Sequence, residues 1–293
     1  MNYIVKKIYR KINIIYLSFF ASNQRTRNEL NHEYAIRKIK KLFREYDFPN
    51  NPYINDQCPK IIWLYWNNGI ENAPELVKRC VESIRNTFKD YEINILDDKN
   101  MSEYIDLPLY LIKKHEQGII PHAHFSDLLR ISLLAKHGGI WLDSTVFCVS
   151  QKIPKYMVSE KLFVFKAFDL DRSDETFMCS SNWFISSCPE NNIVVATKEI
   201  LYKYWKKYNR VIDYFIFHLI FKLVCTRYKE EFDSIIMYPN ISPHLLMFNL
   251  ENNYDDQMWE LIKQQCPIQK LNKAIVSENP NSFYQKLINR ELI

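Results

Sequence analysis

Glycine is scarce in this sequence, at four in 293 residues. A loop that wraps a phosphate group with its backbone N–H groups needs glycines at fixed spacing, and neither GxxxxGK[ST] nor GxGxxG occurs. These absences argue against a P-loop nucleotide-binding protein and against a dinucleotide-binding domain of the GxGxxG type.

Paired cysteines are also lacking. The count of seven is odd, and there is no CxxC motif. Zinc sites and disulfide frameworks use closely spaced or even-numbered cysteines, so we expect neither here. The pattern favours free, buried thiols in a reducing cytosol. The seven are Cys58, Cys80, Cys148, Cys179, Cys188, Cys225 and Cys266.

The net charge of +5 is concentrated at the N-terminus. Residues 1–44 hold eleven Lys and Arg against two Glu, so the rest of the chain is net negative. A nucleic-acid-binding protein usually carries a basic stripe across its main domain, and this sequence predicts none. We therefore expect no nucleic-acid partner.

The N-terminal segment combines this charge with an apolar helical pattern. The apolar stretch at residues 12–21 is too short and too interrupted to span a bilayer. We expect an amphipathic helix on an anionic membrane surface, on the inner face of the plasma membrane, or alternatively a helix packed on the main domain. A second basic helix is expected at 34–43. Asn50-Asn51-Pro52 then divides residues 1–50 from a domain at 51–293. The apolar positions are Ile4, Ile8, Ile12, Ile15 and Phe19.

Short apolar strands alternate with helical patterns from residue 60 onward, which predicts an α/β sheet flanked by helices. In such sheets, ligands bind beyond the carboxyl ends of the strands. We expect strands at 60–66, 91–96, 140–142, 161–168 and 183–186, and helices at 74–89, 101–104, 108–117, 122–137, 191–208 and 211–228.

Charged side chains within apolar surroundings are the candidates for chemistry. Asp127 and Arg130 are three residues apart and share a helix face. They form either a local ion pair or a pair that grips the hydroxyl groups of a polar ligand such as a sugar. Asp143 follows a predicted strand, where it either caps a turn or lies at the ligand-binding edge of the sheet.

Aromatic and histidine residues are more ambiguous. Strand alternation puts Trp63 and Tyr65 on one face and Trp66 on the other. We expect two of these three to pack in the core and one to be free to stack on a nucleobase. His218 lies on a very apolar helix, where a histidine is more often a satisfied core residue than a ligand.

Five stretches together resemble the bacterial capsular polysaccharide synthesis glycosyltransferases. This family is similar to the wider group of sugar transferases with a DxD motif, which includes glucosylating clostridial toxins and yeast-type mannosyltransferases. The resemblance covers about residues 58–275, and its most specific part is SDLLR followed by GGIWLD. The stretches are PKIIW (59–63), APELV (73–77), HFSDLLR (124–130), GGIWLD (138–143) and DYFIFH (213–218).

The resemblance implies a GT-A (Rossmann-like) fold, a UDP-sugar donor, Mn²⁺ or Mg²⁺, and retention of the anomeric configuration. It makes Asp127, Arg130 and Asp143 the expected catalytic residues and places Trp63 beside uracil. Further donor-binding residues are expected at Tyr65, Ser144, Asn182 and Trp183.

The sequence departs from the DxD pattern at Thr145, where the second aspartate would bind the metal directly. Asp143, Thr145 and His218 are then the expected metal ligands. We expect transfer of galactose or glucose from a UDP-sugar to a lipid-linked capsular or related polysaccharide intermediate. The alternatives are a non-catalytic scaffold of a polysaccharide assembly complex and a sugar-phosphate transferase.

Overall fold

The computed structural model describes residues 24–49, 57–167 and 178–292. Its strands and helices together form a mixed α/β fold. The strands in these ranges are β1 (Ile61–Tyr65), β2 (Glu92–Leu96), β3 (Gly139–Leu142), β4 (Val146–Cys148), β5 (Leu162–Lys166), β6 (Ser180–Ser187) and β7 (Ile268–Lys270). The α-helices are α1 (Gln24–Arg44), α2 (Glu75–Thr87), α3 (Leu109–Glu116), α4 (His122–His137), α5 (Lys155–Val158), α6 (Asn192–Lys207), α7 (Ile216–Arg227), α8 (Lys229–Ser234), α9 (Leu245–Asn249), α10 (Asp256–Gln265) and α11 (Phe283–Ile288).

A five-stranded sheet in the order β2-β1-β3-β6-β5 forms the centre of the fold. β1 is parallel to both β2 and β3, whereas β6 runs antiparallel to β3 and β5. β3 is buried along its whole length, and its continuous apolar sequence is typical of a strand covered on both faces. The carboxyl ends of β1 and β3 and the beginning of β6 therefore meet at one edge of the sheet.

A second, two-stranded sheet pairs β4 with β7 in antiparallel register. Val146 lies opposite Lys270, and the N–H of Leu271 donates to the carbonyl of Thr145 at 2.9 Å. This ribbon packs on a smaller apolar cluster that includes Phe147, Trp259 and several residues of α11. It brings the C-terminal part of the chain beside the residues that follow β3.

The sequence predicts most of the described elements around the central sheet, and the flanked α/β sheet is confirmed. One predicted helix begins too early: residues 211–215 are not helical, and α7 begins at Ile216. Asp213 Oδ1 accepts a hydrogen bond from the N–H of Phe215 at 2.7 Å, a side-chain turn that competes with helix formation. β4 and β7 were not predicted, because three-residue strands are too short to show an alternating pattern.

The second basic helix is confirmed as part of α1, which packs on α6 and α7. Ala35 and Ile39 of this helix are fully buried, and His32 Nδ1 lies 2.5 Å from Asp213 Oδ2. The apolar pattern at residues 4–19 lies outside the described residues, and the division at residue 50 stays a prediction. In the described ranges, every helix is too short or too polar to cross a membrane.

All seven cysteines lie in the described ranges, where none of them forms a disulfide. Six of them are buried, and Cys179 is half-buried.

The turn between α4 and β3 requires glycine. Gly138 ends the helix with a φ of +66°, and Gly139 has a φ of +91°. A Cβ atom on Gly139 would lie 2.6 Å from the carbonyl oxygen of Ile61 on β1. A side chain there is therefore strained by the backbone conformation and also collides with the neighbouring strand.

We expect Gly139→Ala to lower the free energy of unfolding by about 3 kcal/mol, from left-handed strain plus overpacking. Gly118→Ala is the matched control: its φ is +71°, but nothing lies within 4 Å of the added Cβ. Because only the backbone strain remains, the control should lose about 1 kcal/mol. Urea denaturation measures both, and equal losses would contradict the steric argument.

Candidate functional site

A cleft of about 670 Å³ opens at the sheet edge where β1 and β3 end. The first turns of α4 and the loop before α7 form one side, and the chain after β7 forms the other. This is the position where α/β sheets generally bind ligands. The polar side chains of the lining include His122, His124, Ser126, Asp127, Arg130, Asp143, Ser144, Thr145, Asn182, His218, His244, Lys270, Asn272 and Lys273.

Arg130 joins the two predicted carboxylates at the base of this cleft. Its Nη1 donates to Asp127 Oδ1 at 2.5 Å, and its Nη2 donates to Asp143 Oδ1 at 2.9 Å. The guanidinium also lies 4.9 Å from the ring centroid of Trp141. The Arg130 side chain is only 4% exposed, so little of it is left to contact a ligand. Its contacts within the protein hold both carboxylates in place.

Each carboxylate has further donors. Asn182 Nδ2 donates to Asp127 Oδ1 at 2.9 Å, and Trp141 Nε1 donates to Asp143 Oδ1 at 3.0 Å. The hydrogen bonds to Asp127 from described residues both end on Oδ1. Its Oδ2 is therefore the acceptor that remains for a hydroxyl group of a ligand.

The two carboxylates have pKa values displaced in opposite directions. Burial raises the pKa of Asp127 to about 6, and Arg130 opposes this only in part. Burial also raises the pKa of Asp143, but Lys270 and Arg130 together outweigh it, so that pKa is lowered overall. At neutral pH both carboxylates are ionised, and the ionisation of the buried Asp127 lowers the free energy of unfolding.

Lys270 is the functional candidate that sequence reasoning missed. Its Nζ lies 3.2 Å from Asp143 Oδ2 and donates to the hydroxyl of Thr145. Lys270 follows Asp143 by more than a hundred residues, and only the pairing of β7 with β4 brings it here. One lysine among 39 basic residues gives no signal in the sequence.

The structure corrects the position of Trp63. Its Nε1 donates to the carbonyl of Gly138 at 2.8 Å, and the side chain is buried under the turn between α4 and β3. It therefore does not reach the cleft. Trp183 is also packed inside, with its ring stacked on Phe165 at 4.8 Å, although its carbonyl accepts from the Asp143 N–H at 2.9 Å.

Tyr65 and Trp66 are the strand-end aromatics that line the cleft. The hydroxyl of Tyr65 donates to Asp98, and its carbonyl accepts from the Ser144 hydroxyl at 2.9 Å. Trp66 is half-buried, and Lys273 Nζ lies 4.8 Å from its ring centroid. Of these two aromatics, Tyr65 is buried and Trp66 is only partly buried.

His218 lines the cleft, and burial, with a further contribution from Arg130, lowers its pKa to about 4. It is therefore neutral at pH 7. Among the residues the structure describes, one group of three possible metal ligands has its atoms within 4.8 Å of one another: Asp98, His115 and His122. This group differs from the predicted set of Asp143, Thr145 and His218.

Comparison with known proteins decides the family. A family model described as capsular polysaccharide synthesis protein matches residues 13–287 of the chain. The chain belongs to this family. The expected resemblance to capsular polysaccharide synthesis proteins is thereby confirmed, and the match extends beyond residues 58–275.

Three fungal relatives of this capsular polysaccharide synthesis family member are named glycosyltransferases. They are the O-glycosyltransferase braB of Annulohypoxylon truncatum (32% identical over 97 residues), the glycosyltransferase afumC of Aspergillus fumigatus (28% over 99) and the O-glycosyltransferase PaGT of Phomopsis amygdali (30% over 93). The matches cover 29% to 31% of this chain and 23% to 25% of each relative. The chain thus spans about a quarter of the length of these relatives. The solved PaToxG glycosyltransferase aligns with 91% of this chain and 95% of its own, at a TM-score of 0.40 and 16% identity.

The resemblance to DxD transferases implies a divalent metal ion beside Asp143, and the side chains present do not fit one. Mn²⁺ and Mg²⁺ prefer oxygen ligands, and Mg²⁺ is usually held by one or two carboxylates together with substrate phosphates and water. Here Thr145 offers a hydroxyl instead of a carboxylate, and the Lys270 ammonium contacts both Thr145 and Asp143. The Lys270 ammonium lies against both oxygens, so a divalent ion placed there would meet a positive charge.

Proposed function

We propose that this protein is a retaining glycosyltransferase with a GT-A fold that uses a UDP-hexose, with glucose or galactose as the sugar. The observation that carries the proposal is the pair of carboxylates, Asp127 and Asp143, held by Arg130 at the ligand-binding edge of the sheet. The family match to capsular polysaccharide synthesis proteins and the names of the fungal relatives support it.

The side chains that line the cleft support a nucleotide-sugar donor. The uracil ring stacks on Trp66, the diphosphate lies along Lys270 and Lys273, and the sugar reaches Asp127. Cationic side chains outnumber carboxylates in this lining by three to two, which suits an anionic ligand. Asp127 Oδ2 accepts from a sugar hydroxyl, while Asn182 and Arg130 fix the orientation of the carboxylate.

In the proposed reaction, the bond between the anomeric carbon and the diphosphate oxygen breaks, and its electron pair stays on UDP. An acceptor hydroxyl attacks from the same face, and its proton passes to the departing diphosphate. Configuration is retained because the old and new bonds share one face. Asp127 holds the sugar so that the reacting atoms are aligned, which is a source of rate enhancement in itself.

The proposed acceptor is a lipid-linked intermediate of a capsular or related polysaccharide, reached at an anionic membrane surface. The family match supports a glycan acceptor. The basic N-terminal segment supports the membrane surface, because lysine and arginine near a membrane are attracted by anionic lipids.

A donor panel tests the proposal directly. The purified chain is incubated with UDP- and GDP-linked hexoses, and both thermal shift and release of free nucleotide are measured. We expect a UDP-hexose to stabilise the protein and to be hydrolysed slowly in the absence of acceptor. Stabilisation by UDP without any turnover of a UDP-sugar, even with a glycolipid acceptor present, would indicate a scaffold instead. Release of a sugar phosphate in the product mass spectrum would indicate sugar-phosphate transfer.

A further inference from the structure

The Lys270 ammonium lies where a DxD transferase would hold its metal ion. It bridges the carboxylate of Asp143, at 3.2 Å from Oδ2, and the hydroxyl of Thr145. In the resemblance described above, these two positions carry the two aspartates of the motif. At the second of these positions this chain has a neutral threonine, and the Lys270 ammonium contacts its hydroxyl.

The two departures compensate in charge. Two carboxylates with a divalent ion have a net charge of zero, and one carboxylate with one ammonium has the same net charge. With Thr145 but no Lys270, the site would have one carboxylate, which is too little negative charge to hold a divalent ion. With Lys270 but an aspartate at position 145, two carboxylates would share one ammonium. With Thr145 at the second position, the site therefore has no net charge. The Lys270 ammonium and the Asp143 carboxylate stabilise each other because opposite charges attract strongly at short distance.

Backbone geometry fixes Lys270 in this position. Lys270 is paired with Val146 across the β4–β7 ribbon, and the N–H of Leu271 donates a hydrogen bond to the carbonyl of Thr145. The Lys270 side chain is about 20% exposed, so the ammonium is anchored by protein oxygens and still reaches the cleft. A preorganised cation at a site of developing negative charge stabilises that charge without rearrangement.

We propose that Lys270 replaces the divalent metal ion and neutralises the diphosphate leaving group, so that sugar transfer by this protein requires no metal. The proposal rests on the proposed function. As the bond from the anomeric carbon to the diphosphate breaks, negative charge grows on the departing oxygen. Lys270 keeps its three protons and donates a charge-assisted hydrogen bond to the diphosphate. The proton of the acceptor hydroxyl still goes to the diphosphate.

Two measurements test this proposal: the affinity for UDP by calorimetry and the turnover of the donor. Each is made once in EDTA and once in Mn²⁺. For the wild-type chain, we expect both the affinity and the turnover to agree within about twofold between the two conditions. Lys270→Met should weaken UDP binding in EDTA by about tenfold or more, the usual value of a charge-assisted hydrogen bond. Turnover should fall by about 100-fold.

Lys229→Met is the control for loss of one positive charge. Lys229 is 74% exposed, pairs with Asp233 and lies outside the cleft lining. It should bind UDP and turn over donor like the wild type. Thermal unfolding of each variant separates loss of fold from loss of function. A merely structural Lys270 would lower the stability of Lys270→Met and leave the UDP affinity of the folded protein unchanged, which would overturn the proposal.

A double variant reverses the proposed exchange. Thr145→Asp with Lys270→Met restores two carboxylates and removes the ammonium, so we expect UDP binding that is weak in EDTA and recovers about tenfold in Mn²⁺. An unresponsive double variant would overturn the equivalence of Lys270 and a metal ion. Wild-type turnover that appears only with Mn²⁺ would overturn the metal-free proposal alone. Absence of UDP binding and of turnover in both conditions would instead reject the proposed function.

Discussion

Asp127→Asn should lower the turnover of the preferred UDP-sugar by about 1000-fold, the scale of losing one preorganised charged contact in a transition state. The substitution keeps the size of the side chain but removes the negative charge that would hold the sugar hydroxyl. The assay is run at pH 7.5, where the carboxylate with a pKa of about 6 is ionised. Affinity for UDP alone should change little, because the proposed contact of Asp127 is with the sugar.

Stability provides an independent readout for the same variant. The pKa of Asp127 is raised in the folded protein, so the folded state binds a proton more tightly than the unfolded chain does. The ionised side chain therefore lowers the free energy of unfolding. This loss develops as the pH rises from about 4 to 6 and persists above pH 6. Asp127→Asn should consequently be at least as stable as the wild type at pH 7.5. A residue that costs stability and is needed for turnover is typical of a functional site.

Asp233→Asn is the control for this experiment, because Asp233 is an exposed partner of Lys229 outside the cleft lining. It should leave turnover unchanged. Near-wild-type turnover in Asp127→Asn would contradict the assignment of this carboxylate to the donor sugar.

Arg130→Ala should lower the free energy of unfolding by about 3–5 kcal/mol at pH 8, because it leaves two buried carboxylates without their shared cation. Both carboxylates lie within 3 Å of the guanidinium, and Asp143 keeps Lys270 as a second cation at 3.2 Å. In the variant, the pKa of Asp127 rises further above its unfolded value, and the pKa of Asp143 loses the part of its lowering that Arg130 provides. The folded variant then takes up protons as the pH falls, so the loss of stability should be smaller at pH 5 than at pH 8.

Urea denaturation of wild type and variant at both pH values measures this difference. Arg37→Ala is the matched control, since Arg37 is 44% exposed and pairs with Glu33 one helical turn away. Exposed pairs of this kind contribute about 0.3–0.5 kcal/mol, so the control should lose little at either pH. A loss for Arg130→Ala that does not depend on pH would mean that packing on Trp141, rather than the charge of the guanidinium, is its main contribution.

The histidines show how burial changes a residue's chemistry in a way that sequence spacing cannot show. His122 and His124 are neighbours on α4, yet they meet different surroundings. His122 lies 4.9 Å from the ring of His115, whereas His124 is buried against Trp205 and has a pKa lowered to about 4. Residues two apart on a helix point in different directions, which accounts for the different surroundings of the two side chains.

Local patterns determined the elements around the site. The apolar run of β3, the glycines that end α4 and the three-residue spacing of Asp127 and Arg130 all act over a few residues, where backbone geometry is regular. The sequence alone therefore located the sheet, the helix and the carboxylate at the strand end. It could not place the aromatics, because strand alternation assigns a face but not a depth, and Trp63 lies two residues behind the edge of the sheet.

The contact of Lys270 with Thr145 and Asp143 sets the net charge of the site, and it is evident only from the tertiary structure. From the sequence, Thr145 replaces the second aspartate of the DxD pattern and is still expected to be a metal ligand. In the folded chain the β4–β7 ribbon brings Lys270 against it, and Lys270 lies 125 positions further along the chain. Long-range pairing of two three-residue strands depends on the packing of the whole domain and leaves no periodic pattern in either strand. The sequence thus located Asp143 at the end of β3, and the fold brought Lys270 into contact with it.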